Sequence, residues 1–457
     1  MTTSKPVRWS SRFVFLMAAM GSAVGLANIW LFPTNAGAGG GGAFVFVYLG
    51  AVLLLALPIL IAELLVGRRG AAPPPKAMAR VAAESGHSRN WGWAALVLGG
   101  VTAILSLAFY GVVGGWTMAY ILKMGAGGLQ GSSVDAAGAA FSALNDNLLT
   151  LTAWFTAFIG MTIFISARGV NAGIEKAVKI LMPALLVLLI LMVFYAMFVG
   201  DFATAVDFLF TPDFSQLNSR IVMAAFGQAF FSLGVGATVL MAYGSYMVKT
   251  MSIPRSALII VFADTSVALL AALAIFPIIF AYGLEPAAGP ELLFITMPLA
   301  FGQIPGGMII GGAFFFLLFI AALTSSISMI EAPVSWLAAR TLLSRAQSAI
   351  LTGSLSWGLG MLAVLSMNRW ANFYPLDAIP LFAGKAFFDL FAFTVTNVLL
   401  PLGGIMIAIF VGWVIRKKYS RDELYGPAPT IWYRIWLFLV RFFVPVILLL
   451  VFLDRLK

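Results

Sequence analysis

The sequence predicts an all-helical polytopic membrane protein with eleven transmembrane spans, and three observations lead to this fold class. Hydrophobic residues make up 62% of the 457 residues, charged residues make up only 10%, and the mean hydropathy is +1.02. In a soluble domain, roughly a quarter of all residues are charged. Apolar runs of about 20 residues, the length that crosses the hydrocarbon core, recur along the chain. Because lipid cannot hydrogen-bond a backbone, these runs are predicted to be helices and not the short alternating strands of a β-barrel.

We expect one transmembrane domain over residues 1–457, with no cleaved signal peptide. The predicted spans, numbered 1 to 11 in chain order, are 13–34, 43–67, 91–122, 149–167, 176–199, 221–248, 257–283, 308–339, 346–367, 386–415 and 431–453. If the N-terminus is cytoplasmic, the inner segments carry 20 of the 27 basic residues. The outer segments carry most of the acids, including Asp201, Glu285 and Glu291. The positive-inside rule therefore predicts a polytopic inner-membrane protein with its N-terminus inside and its C-terminus outside.

This charge distribution also limits the function. The net charge of +10 is explained by topology, so no nucleic-acid partner is expected. The chain has no cysteine and only one histidine, His87, so neither a thiol site nor a histidine metal cluster is available. With no nucleophile–base constellation in the spans, we expect a protein that is not an enzyme.

Spans 1 and 6 contain residues that weaken a helix at bilayer depth. Span 1 includes G-S-A-V-G-L-A-N at 21–28, and span 6 includes S-L-G-V-G-A-T at 232–238. Small residues also allow close helix packing, which is the alternative explanation. Interrupted helices five spans apart instead indicate a five-plus-five inverted-repeat transporter, with repeats at about 13–199 and 221–415 and an additional helix at about 431–453.

A few polar side chains lie within the predicted spans, where an unpaired charge is costly. They are Asn28, Glu63, Asp264, Glu331 and Asn397. Each is therefore a candidate functional-site residue. For Glu63 and Glu331, hydrogen bonding to unwound backbone explains their presence equally well. Asn28, Ser232 and Asp264 form an all-oxygen set suited to a hard cation such as sodium. The hydroxyls of Thr324 and Ser325 either bind an ion or bond back to their own helix.

A series of motifs spread over nearly the whole chain resembles the neurotransmitter:sodium symporter family, in particular its bacterial eleven-span amino-acid transporters. In order they are W-S-S-R-F (9–13), G-S-A-V-G-L-A-N-I-W (21–30), G-G-G-A-F (40–44), G-R-R (67–69), F-Y-G-V-V-G-G-W (109–116), G-I-E-K (173–176), G-Q-A-F-F-S-L (227–233), I-P-R-S-A (253–257), A-I-F-P (274–277), A-L-T-S-S-I-S (322–328) and G-K-A-F-F-D-L (384–390). The resemblance implies sodium-coupled symport of an amino acid by alternating access.

The resemblance also implies one or two sodium sites and a substrate site. The first sodium site takes Ala23, Asn28, Ser232 and Asp264. The second takes Gly21, Val24, Ala321, Thr324 and Ser325. The substrate site takes Ala23, Leu26, Ala27, Ser106, Tyr110, Phe231, Ser232, Gly234, Ala237, Ser325 and Met329. Phe231 is the expected aromatic lid.

Two further expectations concern substrate and anion. Some family members have larger residues where Gly234 and Ala237 stand, so the small residues here favour an aromatic or branched aliphatic L-amino acid, for which an adaptable Met329 is suited. In animal relatives a chloride balances charge beside the first sodium. Here Asp264 supplies that charge and Ala268 replaces a chloride-binding serine, so no chloride requirement is expected. We expect a monomer or loose dimer in membrane lipid.

The charged gates of the family are absent. Leu31 and Ala392 stand where an external arginine–aspartate pair is usual, and Pro6 and Ala339 stand at the inner pair, with Lys5, Arg8 and Arg340 adjacent. Losing both partners leaves no orphan charge. One hypothesis is therefore that the gates close by apolar packing of Leu31, Phe231 and Tyr110. Weak gating is another hypothesis. The sequence also allows a proton-coupled or exchange-only transporter, with Glu63, Asp264 or Glu331 titrating, and an amino-acid-binding sensor on the same fold.

Overall fold

The computed structural model describes residues 8–284, 292–427 and 430–456, and its regular structure in these ranges is helical. Within these ranges nine helices are long and apolar enough to cross a membrane. They are Gly42–Gly70, Trp91–Gly125, Leu148–Ala167, Val170–Val199, Ile253–Ala281, Gly307–Arg340, Arg345–Ser366, Phe387–Val414 and Ile431–Asp454. They correspond to predicted spans 2 to 5 and 7 to 11. Lys5, Pro6, Glu285 and Glu291 lie outside the described residues.

Span 1 is broken in the middle, as predicted. Its halves are Arg12–Ala23 and Ala27–Ala38, and their axes differ by 54°. Val24 leaves the helix with extended backbone angles (φ −67°, ψ 108°). A helix interrupted here has backbone groups without intrahelical partners, which must be satisfied by neighbouring side chains.

Span 6 is broken more widely. Its halves are Ser219–Ser232 and Val239–Ser245, and residues 233–238 between them are not helical. Gly234 and Gly236 have φ values of +59° and +96°, in the region where glycine has no steric penalty, whereas Thr238 at +58° is strained. The predicted pair of interrupted helices at spans 1 and 6 is therefore confirmed.

The small residues of span 6 also serve close packing, so the two explanations are compatible. A Cβ on Gly236 would approach the Leu400 carbonyl oxygen to 2.6 Å, and one on Gly67 of span 2 would approach the Met241 carbonyl oxygen to 2.0 Å. Backbones therefore approach each other directly on both sides of the break. The non-helical segment is enclosed by protein, where irregular backbone is tolerated at membrane depth.

Glu63 of span 2 stabilises this segment. Its carboxylate is fully buried and accepts hydrogen bonds from the Gly236 amide (2.7 Å) and the Met241 amide (3.1 Å). The Gly236 amide lies within the break and the Met241 amide lies in the first turn after it, so neither has an intrahelical acceptor. Of the two explanations for Glu63, hydrogen bonding to unwound backbone is the one this geometry favours.

Five helices in the connecting segments were not predicted. They are Pro74–Glu84, Val134–Asp146, Phe202–Phe210, Leu292–Gln303 and Lys417–Leu424. Each is too short to cross a membrane, so a search for apolar runs of span length passes over them.

We predict that Glu63 is required for stability at the break. Replacing it with Leu leaves the Gly236 and Met241 amides buried without an acceptor, at about 1–3 kcal/mol for each group. Glu63→Leu should therefore unfold at a lower temperature than the wild type in detergent, followed by tryptophan fluorescence, and Glu63→Gln should fall between them. Asp135→Ala, on an exposed loop helix, is the control. An unchanged melting temperature for Glu63→Leu would contradict this assignment.

Candidate functional site

The break in span 1 is held by three side chains from different parts of the chain. The Asn28 side-chain oxygen accepts from the Gly25 amide at 3.0 Å. The Tyr110 hydroxyl accepts from the Leu26 amide at 3.3 Å, and the Ser325 hydroxyl donates to the Val24 carbonyl at 3.3 Å. Spans 3 and 8 therefore meet span 1 at the point where its helix is interrupted.

Asn28, Ser232 and Asp264 form a buried cluster beside this break. The Asn28 amide donates to the Ser232 hydroxyl (2.9 Å), to Asp264 Oδ1 (2.8 Å) and to the Asp264 carbonyl (3.1 Å). The Ser232 hydroxyl donates to Asp264 Oδ2 at 2.6 Å. All three side chains are at most 2% exposed. The cluster brings oxygen donors and one carboxylate to one point, which is the chemistry that a hard monovalent or divalent cation requires.

Two hydroxyls near this cluster were missed by sequence reasoning. Tyr48 of span 2 lies beside Ser232 and Thr265, and both its hydroxyl and that of Thr265 are buried without a hydrogen-bond partner among the described residues. Thr265 is adjacent to Asp264 in the sequence, which could have drawn attention to it. Tyr48 carries no such signal, because an aromatic residue in an apolar span usually belongs to the core.

The residues assigned to the second sodium site converge where span 8 packs against the first half of span 1. Gly21 faces span 8 so closely that a Cβ there would lie 3.3 Å from the Thr324 Cβ. The Thr324 hydroxyl donates to the carbonyls of Ile320 (3.0 Å) and Ala321 (3.1 Å). The Thr324 hydroxyl therefore bonds back to its own helix, which was one of the two roles expected for it. The same bond places its oxygen next to the Ala321 carbonyl. Together with Ser325 and the Val24 carbonyl, these groups form a second collection of oxygen atoms.

A cavity of about 430 Å³ lies between the two broken spans. All the residues assigned above to substrate line it, namely Ala23, Leu26, Ala27, Ser106, Tyr110, Phe231, Ser232, Gly234, Ala237, Ser325 and Met329. Most of the remaining wall is apolar, including Phe109, Val113 and Phe388. A concave, mostly apolar cavity with a few convergent polar groups is typical of a small-molecule site.

The cavity wall that includes Leu31 also contains a pair of amides that the sequence analysis did not single out. The Asn35 amide donates to the Gln228 side-chain oxygen at 2.8 Å, and the Gln228 amide donates to the Ala27 carbonyl at 2.9 Å. Both residues line the cavity, as do Leu31 and Ala392, the residues at the gate positions. The first half of span 6 is thus connected to the second half of span 1 by hydrogen bonds between uncharged groups.

The opposite end of the site is closed by the segment before span 1. Trp9 is 3% exposed, and its ring nitrogen donates to the Tyr243 carbonyl at 3.0 Å. The Ser10 amide and hydroxyl donate to Glu175 at 2.9 and 2.8 Å. Aromatic packing and neutral donors thus close the end where the inner charged pair is missing. Ala339 is exposed at this end.

Glu331 belongs to this closed end and not to the cavity. It forms an ion pair with Arg345, whose Nη1 donates to Oε1 at 3.1 Å, and it accepts from the Tyr246 hydroxyl at 2.6 Å. The carboxylate is therefore compensated by a cation and does not bind unwound backbone as Glu63 does. A buried acid with such partners has a structural explanation.

Comparisons with known proteins agree with the fold and identify the family. Residues 7–131 and 142–457 match the sodium:neurotransmitter symporter family. A sodium-dependent transporter of Bacillus subtilis, YhdH, is 38% identical over 99% of this chain and 98% of its own length. A sodium-dependent transporter of Haemophilus influenzae is 32% identical over the whole of both chains. Both relatives are named as uncharacterized.

A solved structure resembles the whole protein. The crystal structure of MhsT in complex with L-phenylalanine superimposes with a TM-score of 0.88, at 38% identity, covering 98% of this chain and 99% of that one. The predicted fold class, an eleven-span helical protein with broken spans 1 and 6, is thereby confirmed. The chain belongs to the sodium:neurotransmitter symporter family of secondary transporters and is a multi-pass, sodium-dependent membrane transporter of a small-molecule substrate, not an enzyme.

Proposed function

We propose that this chain takes up an aromatic or branched aliphatic L-amino acid together with one or two sodium ions. The observation that supports this proposal best is the position of the Asn28–Ser232–Asp264 cluster, which adjoins an apolar cavity at a helix break. A cation there lies next to the site of the substrate carboxylate. Binding of each therefore favours binding of the other, which is the basis of coupling.

The ends of the broken helices supply the groups for the amino-acid backbone. The N-terminus of the second half of span 1 carries partial positive charge and directs amides toward the cavity, where they favour a carboxylate. The Leu26 amide and the Tyr110 hydroxyl, which bond to each other at 3.3 Å, are the donors we assign to it. The carbonyls of Ala23, Phe231 and Ser232 are the acceptors we assign to the substrate amine.

The oxygen atoms on either side of the break supply the sodium ligands. We assign the first ion to Asn28, Ser232, Asp264 and the Ala23 carbonyl, with the substrate carboxylate as a possible further ligand. We assign the second ion to the carbonyls of Gly21, Val24 and Ala321 and to the hydroxyls of Thr324 and Ser325. Moving one sodium charge inward along the membrane potential contributes about 2.3 kcal/mol per 100 mV to uptake.

The wall of the cavity supports a large apolar substrate side chain. Gly234 and Ala237 are small residues in this wall and leave volume for the substrate, and the unbranched, half-buried Met329 adapts to different shapes. MhsT, the similar solved structure, is bound to L-phenylalanine. A related bovine protein, 24% identical over 59% of this chain and 40% of its own length, is named as a sodium-dependent neutral amino acid transporter.

The position of the Asp264 carboxylate supports the proposal that transport does not require chloride. Its carboxylate bonds directly to Asn28 and Ser232, so a fixed negative charge lies within the proposed cation site. The buried Ala268, one helical turn further along span 7, offers no hydroxyl to an anion. A carboxylate within the site replaces the charge that a bound chloride supplies in animal relatives.

Proton coupling through Glu63 or Glu331 receives less support from the geometry. Glu63 is bonded to two backbone amides and Glu331 to an arginine, and neither lines the cavity. Of the three acids, Asp264 is the one that bonds to a cavity-lining side chain, that of Ser232, so it is the best candidate for a proton site. An exchanger or a sensor has the same binding site, so these alternatives differ from symport only in net uptake.

We predict that each sodium site is needed for sodium-dependent substrate binding. Removing one ligand to a buried cation costs about 1.5–3 kcal/mol, or roughly 10- to 150-fold in affinity. Asn28→Ala and Thr324→Ala should each weaken the sodium-dependent binding of a radiolabelled amino acid, selected from a panel, to purified protein by about that factor.

The matched control is Asn372→Ala, because Asn372 is an exposed amide outside the cavity. Replacing sodium chloride with sodium gluconate should leave binding by the wild type unchanged. Undiminished sodium dependence of binding in both site variants would contradict the assignment of the ion sites. Loss of wild-type substrate binding in gluconate would contradict chloride independence alone.

We predict that Ala237 sets the upper size of the substrate. Ala237→Phe fills part of the cavity, so we expect the affinity for phenylalanine or leucine to fall by about tenfold or more while alanine still binds. Ala237→Ser, which hardly changes the volume, should retain the wild-type preference. The measurement is competition of each amino acid against a bound radiolabelled substrate. Equal loss of large and small substrates, or no loss of either, would contradict this role.

A further inference from the structure

A second cavity of about 320 Å³ lies at the end of the bundle that the loop charges predict to be cytoplasmic. Three chain segments enclose it: the loop helix Pro74–Glu84, the start of span 3 and the end of span 8. It is remote from the amino-acid cavity and shares no lining residue with it. We call it the basic–aromatic pocket, defined by Lys76, Arg89, Arg340, Trp93 and Trp336.

The charges of the basic–aromatic pocket are of one sign. Lys76, Arg89 and Arg340 are exposed and line the pocket, and no carboxylate lines it. None of these three cations forms an ion pair with another residue in the described part of the chain. Other arginines of the same end are paired, for example Arg68 with Glu423. Three unpaired cations around one concavity favour an anion with several oxygen acceptors, such as a phosphate.

An apolar surface continues from the pocket along span 3. Trp93, Val97 and Val101 follow one another at a spacing of four, and their side chains are 66%, 54% and 42% exposed. Residues four apart lie on one face of a helix, so this stripe runs from the pocket toward the middle of the bilayer. Tryptophan is enriched at the level of the lipid headgroups, which places the mouth of the pocket there.

We propose that the basic–aromatic pocket binds the phosphate headgroup of an anionic phospholipid, with an acyl chain lying along Trp93, Val97 and Val101. A free phosphate ion satisfies the three cations but leaves the apolar stripe unused. A zwitterionic lipid places a choline or ethanolamine cation among like charges. The combination of cationic pocket and lipid-facing stripe is therefore matched best by an anionic lipid, whose headgroup bridges the loop helix and the end of span 8.

The test measures lipid retention by purified full-length protein with native mass spectrometry. The probes are phosphatidylglycerol, phosphatidylcholine of the same acyl chains and inorganic phosphate. We expect the wild type to retain phosphatidylglycerol over phosphatidylcholine, and Lys76→Gln/Arg89→Gln/Arg340→Gln to lose this preference, by about fivefold in affinity for each cation removed.

Two further variants control for charge and folding. Lys249→Gln/Arg255→Gln/Lys418→Gln removes three exposed cations of the same predicted face that do not line the pocket, and it should keep the preference. Lys76→Arg/Arg89→Lys/Arg340→Lys keeps the charges and should also keep it. The proposal is overturned if the pocket variant retains phosphatidylglycerol, if the matched control loses it equally, or if inorganic phosphate binds as tightly as the lipid.

Discussion

The hydrogen bonds around the break in span 1 are the interaction on which the rest of the structure depends. Inside a bilayer each freed amide or carbonyl must find a partner within the protein. Asn28 receives the Gly25 amide, Tyr110 receives the Leu26 amide, and Ser325 donates to the Val24 carbonyl. Spans 3 and 8 are thus joined to span 1 at one level. The polar groups that stabilise the break are the same ones that we assign to sodium and substrate.

The broken span 6 follows the same principle with different partners. Glu63 accepts hydrogen bonds from one amide within its non-helical segment and one just after it. Ser232, at the end of its first half, bonds to Asn28 and Asp264. One buried acid therefore supports the backbone, while another lies in the proposed cation site. Glu331, paired with Arg345, belongs instead to the end of the bundle that Trp9 closes. These three fully buried carboxylic acids have separate partners and separate roles.

Much of the fold could be predicted, because membrane spans are set by length and hydropathy, which are local properties. All eleven spans and both breaks could be predicted in this way. The short loop helices could not, since nothing distinguishes Pro74–Glu84 from a polar connection before its neighbours are known. Similarly, the partners of Glu63 and Glu331 depend on which helices meet. Asn35 and Gln228 are ordinary amides in the sequence, and only the packing of span 6 against span 1 brings them together beside Leu31.

We propose that sodium binding at the span 1 break drives uptake, without the charged gates usual in the family. Uptake of a radiolabelled hydrophobic L-amino acid into proteoliposomes, with sodium and proton gradients imposed separately, tests it most directly. We expect the inward sodium gradient alone to drive accumulation, and the proton gradient without sodium to drive none. Accumulation driven by protons in the absence of sodium would contradict the account, and so would tight sodium-dependent binding with no accumulation at all.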